Sequence, residues 1–335
     1  MIIAATDEKF NNPIDDYTMG TGEILHDVSA TGKEKPWSRK KEETLKIADL
    51  FRLARAYDPS IITDGPLYDM EHCGDTLLFS VLKDGSKHLK SGSFCRNRLC
   101  PMCTWRKSLK MFFQIDKVIS AILNDKPTER FLFMTLTIRN VQGQQLSDTL
   151  DTLNQAYKIL FNARDNKKRR IDGYMKAMEI TYNSQTNTYH PHIHVILAVS
   201  PTYFKPGIYI KQSEWRDMWK KALHVDYPPQ LNIKAIKLST SKAVAEVAKY
   251  PIKMDSILSI KDKTKAAKAL AVLQSSSRNR RFVTFGGIFS VYRRMLKQDD
   301  IETGDLVHVD GSTNTTKALA EVFYRYDIRQ GLYIC

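Results

Sequence analysis

Two histidines spaced two apart inside an apolar run constrain this chain more than any other feature. In Tyr189 to Val199, the segment His190-Pro191-His192-Ile193-His194-Val195 is otherwise built for a buried strand. Successive strand side chains alternate between faces, so His192 and His194 lie side by side on one face. Burying several imidazole nitrogens is costly unless each has a partner. Hydrogen bonds within a core are one answer; a metal ion such as Mn, Zn, Co or Ni, for which imidazole is a suitable ligand, is the other. A second strand-like run, Tyr174 to Tyr182, precedes it across Asn183-Ser184-Gln185-Thr186-Asn187-Thr188, a hairpin connection. Centring the turn between Gln185 and Thr186 sets Tyr182 opposite Tyr189 and Glu179 opposite His192. A carboxylate then joins the two imidazoles, and a slip of one residue removes it. His190 has the same parity, but Pro191 makes the strand's start irregular.

Periodicity fills in the rest. Helical spacing covers Leu45 to Tyr57, stopped by Pro59, then Leu109 to Leu123, a helix opened by Ser147 and Asp148, and Ser213 to Leu223. Further helical segments are Lys242 to Tyr250 and Asp262 to Leu273, with Asp262 as the N-cap. Phe131 to Ile138 is short and apolar, the pattern of a buried strand. Ser275 to Ser277 reads as a polar linker, and the stretch after about residue 298 as an acidic, then Gly/Ser/Thr-rich tail with a last strand-like run. The expected division is a flexible basic arm over 1–45, a helical and cysteine-bearing subdomain over 46–125, a domain over 126–298 that carries the histidine pair, and a C-terminal tail over 299–335.

Charge narrows the partner. A formal net charge of +14 on 335 residues calls for a polyanion, because clustered Lys and Arg displace the counterions condensed on nucleic acid. Candidate contacts are Lys167, Lys168, Arg169 and Arg170, then Arg278, Arg280 and Arg281, with Arg96, Arg98, Arg106 and Lys107 near the cysteines. No apolar run approaches the roughly 20 residues of a membrane span. Met1 to Ala5 is too short for a secretory signal, so the expected location is the cytoplasm. Cys95, Cys100 and Cys103 fall within nine residues, and an odd count of five cysteines argues for metal or free thiols over a disulfide framework. Structural zinc wants four ligands; Cys73 is the natural fourth, with His72 or His88 behind it.

In Glu246-Val247-Ala248-Lys249-Tyr250-Pro251, Glu246 and Tyr250 are four apart on a helix that Pro251 ends. A phenol with an ordinary pKa near 10 needs a nearby base or cations to act as a nucleophile; Glu246, Lys249 and Lys253 supply both.

Taken together these segments resemble the HUH superfamily, in particular the initiator (Rep) proteins that start rolling-circle replication of small plasmids of Gram-positive bacteria. The elements that match, in the family's order, are Phe131-Leu-Phe-Met-Thr-Leu-Thr137, His190-Pro-His-Ile-His-Val195 and Glu246-Val-Ala-Lys-Tyr-Pro251, and the cysteine cluster resembles the family's amino-terminal region. The likeness covers roughly residues 65 to 300. It implies an α+β fold: a central antiparallel sheet of HUH-endonuclease type flanked by helices, the histidine and first-motif strands adjacent, with an amino-terminal zinc-binding subdomain. It implies Tyr250 as nucleophile at the plasmid's double-strand origin, Glu246 as the base that ends the reaction, and a divalent ion, Mn or Mg. Lys249 and Lys253 would contact the DNA. A host helicase and polymerase are the expected partners, with self-association open. The single tyrosine in the motif separates the chain from relatives with two. Rival readings are a zinc-containing DNA-binding regulator without catalysis, and a relaxase or transposase with the same chemistry.

Overall fold

The computed structural model describes residues 22–29, 31–236, 254–309 and 318–335. Its elements in chain order are α1 (Trp37–Tyr57), α2 (Asp64–Glu71), β1 (Thr76–Val81), β2 (Lys87–Gly92), α3 (Pro101–Asp125), β3 (Arg130–Thr137), α4 (Leu146–Leu160), α5 (Ala163–Lys168), β4 (Ile171–Asn183), β5 (Thr188–Val199), α6 (Gln212–Leu223), β6 (Leu231–Ile236), α7 (Asp255–Leu258), α8 (Lys263–Ser277), β7 (Val283–Gly287), α9 (Ile288–Met295), β8 (Ala320–Asp327) and β9 (Leu332–Ile334). This is a mixed α+β fold with two antiparallel sheets.

The larger sheet has the order β6-β3-β5-β4-β7, so the histidine strand β5 is central, with β3 on one side and β4 on the other. The β4–β5 connection is held by Asn183 Oδ1, which accepts from the backbone N–H of Gln185 and of Thr186, while Asn187 takes a left-handed φ of 53°. The turn fixes the register, with Tyr182 opposite Tyr189 and Glu179 opposite His192.

Each face of this sheet is covered differently. Met111, Ile115, Val118 and Ile122 of α3, with Ile288 and Phe289 of α9, bury Phe131, Phe133, Met175, Ala177, Ile196 and Ala198. The other face packs on Leu150, Leu153 and Tyr157 of α4, on Trp215 and Trp219 of α6 and on Leu270 and Leu273 of α8, in an apolar core that continues into the cysteine region. Trp219 Nε1 donates to the carbonyl of Thr137, which pins the end of β3 beside His192. Asp262 caps α8 as expected, accepting from the N–H groups of Thr264 and Lys265.

Several expectations need correction. The basic arm does not extend to residue 45: α1 begins at Trp37, whose ring is buried against Phe79 and Trp105 and whose Nε1 donates to Asp27. Residues 1–21 lie outside the described residues. Ser275 to Ser277 is the last turn of α8, with Ser276 and Ser277 buried, and not a linker. Nor is 299–335 a tail. Asp299, Asp305 and the carbonyls of Leu306 and Val307 bind Lys110 and Arg106 of α3, and β8 and β9 complete the smaller sheet in the order β2-β1-β8-β9. Alternation in Val322 to Tyr326 could have signalled that strand, but its partner β1 is some 240 residues away in sequence, beyond the reach of any local pattern.

Candidate functional site

Glu179 of β4 and His192 and His194 of β5 meet on the sheet face that α3 and α9 cover, at the end where the apolar residues give out. All three side chains are buried, and one ligand atom from each lies within 4.8 Å of the others. Glu179 Oε2 stands 3.0 Å from His194 Nε2 and 3.3 Å from His192 Nε2. The outer nitrogens are engaged elsewhere: His192 Nδ1 donates to the carbonyl of His190, and His194 Nδ1 bonds the Thr135 hydroxyl at 3.2 Å. A neutral imidazole that donates through Nδ1 presents a lone pair at Nε2. On His192 that lone pair faces a carboxylate oxygen, also an acceptor. Two acceptors at such a distance repel unless protons or a cation lie between them. Outer-nitrogen anchoring with inward-facing Nε2 atoms is the arrangement that orients metal-binding histidines, so this donor set fits a divalent ion. His190 stays outside the cluster; its Nδ1 bonds Asn140 Oδ1 at 2.7 Å, and burial first, then His192, lowers its pKa.

The second cluster comprises Cys73, Cys95, Cys100 and Cys103. Cys73 precedes β1, Cys95 follows β2, and Cys103 sits in the first turn of α3, which Pro101 opens eight residues before the expected start. Sulfur separations of 3.5 Å (Cys73 to Cys103 and to Cys100) and 3.7 Å (Cys95 to Cys103) match the edges of a tetrahedron with a metal–sulfur bond of about 2.3 Å. Backbone N–H groups of Cys95 and Arg96 point at Cys73 Sγ and Cys103 Sγ, the latter from a left-handed Arg96 with φ 59°. Burial raises the Cys103 thiol well above its ordinary range, so four thiolates coexist here only against a cation. His72 is not a ligand: its ring stacks on Tyr68 and its Nδ1 bonds the Tyr68 carbonyl.

The basic residues divide by what they touch. Lys167, Lys168 and Arg170 are exposed at the end of α5. Arg169 is half-buried over the Trp215 ring and donates to the Leu160 carbonyl. Arg278 is exposed, with one bond to the Ile61 carbonyl. Arg280 is engaged by Asp151 and by Ser147 Oγ, and Arg281 is exposed beside Asp300. Arg106 and Lys107, which the sequence offered as DNA contacts, are each 2% exposed; Arg106 binds carbonyls of 306 and 307 under the Trp37 and Trp105 rings. Tyr250, Glu246, Lys249 and Lys253 fall in 237–253, outside the described residues.

Sequence reasoning passed over Thr135, Trp219 and above all Lys176, a buried lysine of β4. A signal was present for the last: in Tyr174, Lys176, Met178, Ile180 and Tyr182 it is the one charge on an apolar parity.

The arrangement defines a class: an α+β protein whose larger antiparallel sheet carries a buried carboxylate and two histidines able to hold a metal, with a four-cysteine cluster beside the smaller sheet. The chain belongs to a replication-protein family, whose model matches residues 86–334 under the description Replication protein. It is 36% identical over 306 residues to Protein rep of Streptococcus pneumoniae serotype 2 (strain D39 / NCTC 7466), spanning 89% of this chain and 92% of that one. Identity to Protein rep of Lentilactobacillus hilgardii is 32% over 319 residues, covering 92% and 98%. A replication protein of Staphylococcus aureus is 35% identical over 210 residues, covering 60% and 88%. No solved structure matches the chain. No helix among the described residues is long and apolar enough to cross a membrane.

Proposed function

We propose that the chain is a plasmid replication initiator of the HUH type, which nicks one strand at the double-strand origin and later rejoins or releases it. The observation that carries the reading is the convergence of His192 Nε2, His194 Nε2 and Glu179 Oε2 with the outer histidine nitrogens turned away. The family's name supplies replication; the donor set supplies a reason for metal-assisted phosphoryl chemistry. A bound Mn or Mg ion would polarise the scissile phosphate and offset the charge gathering on its oxygens. Tyr250 Oη attacks phosphorus, losing its proton to a nearby base; the bond to the 3′ oxygen breaks and that oxygen takes up a proton from water, leaving a 5′-phosphotyrosine ester and a 3′ hydroxyl that primes synthesis. Glu246 takes a proton from water when the reaction ends. The four cysteines would hold a structural zinc, since four protein ligands leave no open position. Host helicase and polymerase would extend the freed end.

The test is incubation with supercoiled plasmid bearing the origin and Mn²⁺ or Mg²⁺. The expected product is a nicked circle joined to protein through a tyrosine, absent with Tyr250→Phe. Normal nicking by that variant would refute the assignment. Glu246→Ala is expected to nick yet fail to terminate; clean termination would put the base elsewhere.

A further inference from the structure

Charge is also concentrated on the other face of the central sheet. Lys176 is three residues from Glu179 on β4, so the two side chains leave on opposite faces. Its ammonium reaches the α4 side, where Nζ donates to Asn154 Oδ1 at 2.6 Å and lies 4.8 Å from the centre of the Tyr157 ring. The residue is 4% exposed, and among the described residues no carboxylate pairs with it. A buried charge without a counter-charge is expensive, and burial draws this lysine's pKa down to about 8.

A cleft of about 650 Å³ opens over it. Its lining holds five cations, Lys158, Lys176, Arg278, Arg280 and Arg281, against the single carboxylate of Asp151, which Arg280 already engages; Arg281 is paired with Asp300 outside the lining, so the surplus rests on Lys158, Lys176 and Arg278. Lys158 and Arg278 form no ion pair among the described residues. Tyr157 also lines the cleft, and its hydroxyl is buried beneath and makes no hydrogen bond. Such a surplus of donors at the floor and cations at the rim is what an anion fills. The cleft is open to solvent and its cations flank the opening, which suits a backbone passing across better than an enclosed small molecule.

We propose that this cleft seats a phosphate of the DNA backbone, with Lys176 at the floor and Lys158 and Arg278 at the rim, as a contact on the sheet face opposite the metal-binding cluster. The choice of DNA rests on the replication-protein family and the charge of +14, not on the nicking chemistry.

The experiment measures binding of the full chain to a fluorescein-labelled duplex by anisotropy across a salt series. Lys176→Met is expected to weaken binding about tenfold and to make the log–log salt slope shallower by about one. The exposed pair Lys158→Ser with Arg278→Ser carries the same expectation, with a slope change of about two, should Lys176→Met fail to fold. Wild-type affinity and slope in a folded variant overturn the proposal. So does calorimetry in which inorganic phosphate binding depends on Lys176 while duplex binding does not. A failure of the Tyr250 assay leaves these readouts untouched, so the two readings fall separately.

Discussion

Lys176→Met separates the energetic cost of a buried ammonium from its use. Burial lowers the lysine from 10.5 to about 8, and each pKa unit corresponds to about 1.4 kcal/mol, so keeping it charged in the folded chain costs about 3 kcal/mol at pH 7. The bond to Asn154 returns about 1.5–3 kcal/mol of that, as hydrogen bonds to charged groups do. Methionine matches the aliphatic stem, removes the charge and gives up the bond, so the net effect at pH 7 ranges from none to a gain of about 1.5 kcal/mol. The pH dependence isolates the charge. Between about pH 8 and 10.5 the folded chain has released a proton that the unfolded chain still binds, so wild-type stability rises with pH across that window. Methionine has nothing to titrate. From pH 7 to 9.5 the wild type should gain about 2 kcal/mol on the variant. Urea unfolding followed by fluorescence, with Trp215 and Trp219 buried as reporters, measures it at both pH values. Equal differences at the two pH values would refute the reasoning, because they would mean that Lys176 titrates as a hydrated lysine.

Glu179→Gln keeps the shape but removes the anion that balances a cation; Mn²⁺ affinity, read by calorimetry, should fall by about 10- to 100-fold, and unchanged affinity would exclude this cluster as the site. Cys100→Ser, at a fully buried ligand position, should lower bound zinc to below one per chain by elemental analysis and destabilise the fold by several kcal/mol, on the order of a lost structural metal; full zinc content would point to another site. Glu129 is buried and raised to about 7 by its burial and then by Asp172, so the folded chain holds a proton that the unfolded chain loses between about pH 4.5 and 7, and stability falls across that window. Glu129→Gln should therefore stabilise by about 1–2 kcal/mol at pH 8 and not at pH 4, and a pH-independent effect in thermal melts would contradict it.

The hairpin was legible because one short-range signal, Asn183 and its neighbours, set the register of two strands whose apolar residues agree with it. From there Glu179, His192 and His194 follow as same-face neighbours. The cysteine cluster was legible for a similar reason, three ligands lying within nine residues. What stayed hidden depends on distant pairing. Nothing local in Leu231 to Ile236 marks it as the edge partner of β3, and nothing in 299–309 foretells that its carbonyls and Asp299 hold Arg106 and Lys110 of α3. Runs of basic residues misled because charge in sequence does not say whether it is spent inside: Arg106 and Arg280 are held by protein groups, while Lys167 and Lys168 are exposed.

The smaller sheet bears on how the protein is made. Tyr333 of β9 is fully buried and its hydroxyl donates to the carbonyl of Gly74, the residue after Cys73, while β8 supplies the second neighbour of β1. On a translating ribosome all four thiols emerge long before the strand that clamps Gly74 exists. The peptide holding one ligand of the cluster acquires its fixed position only when residues 320–334 have been synthesised and docked. Maturation of the cysteine site therefore waits on residues 320–334: a nascent chain interrupted before residue 320 would hold Cys73 beside a two-stranded ribbon that lacks its β8 neighbour.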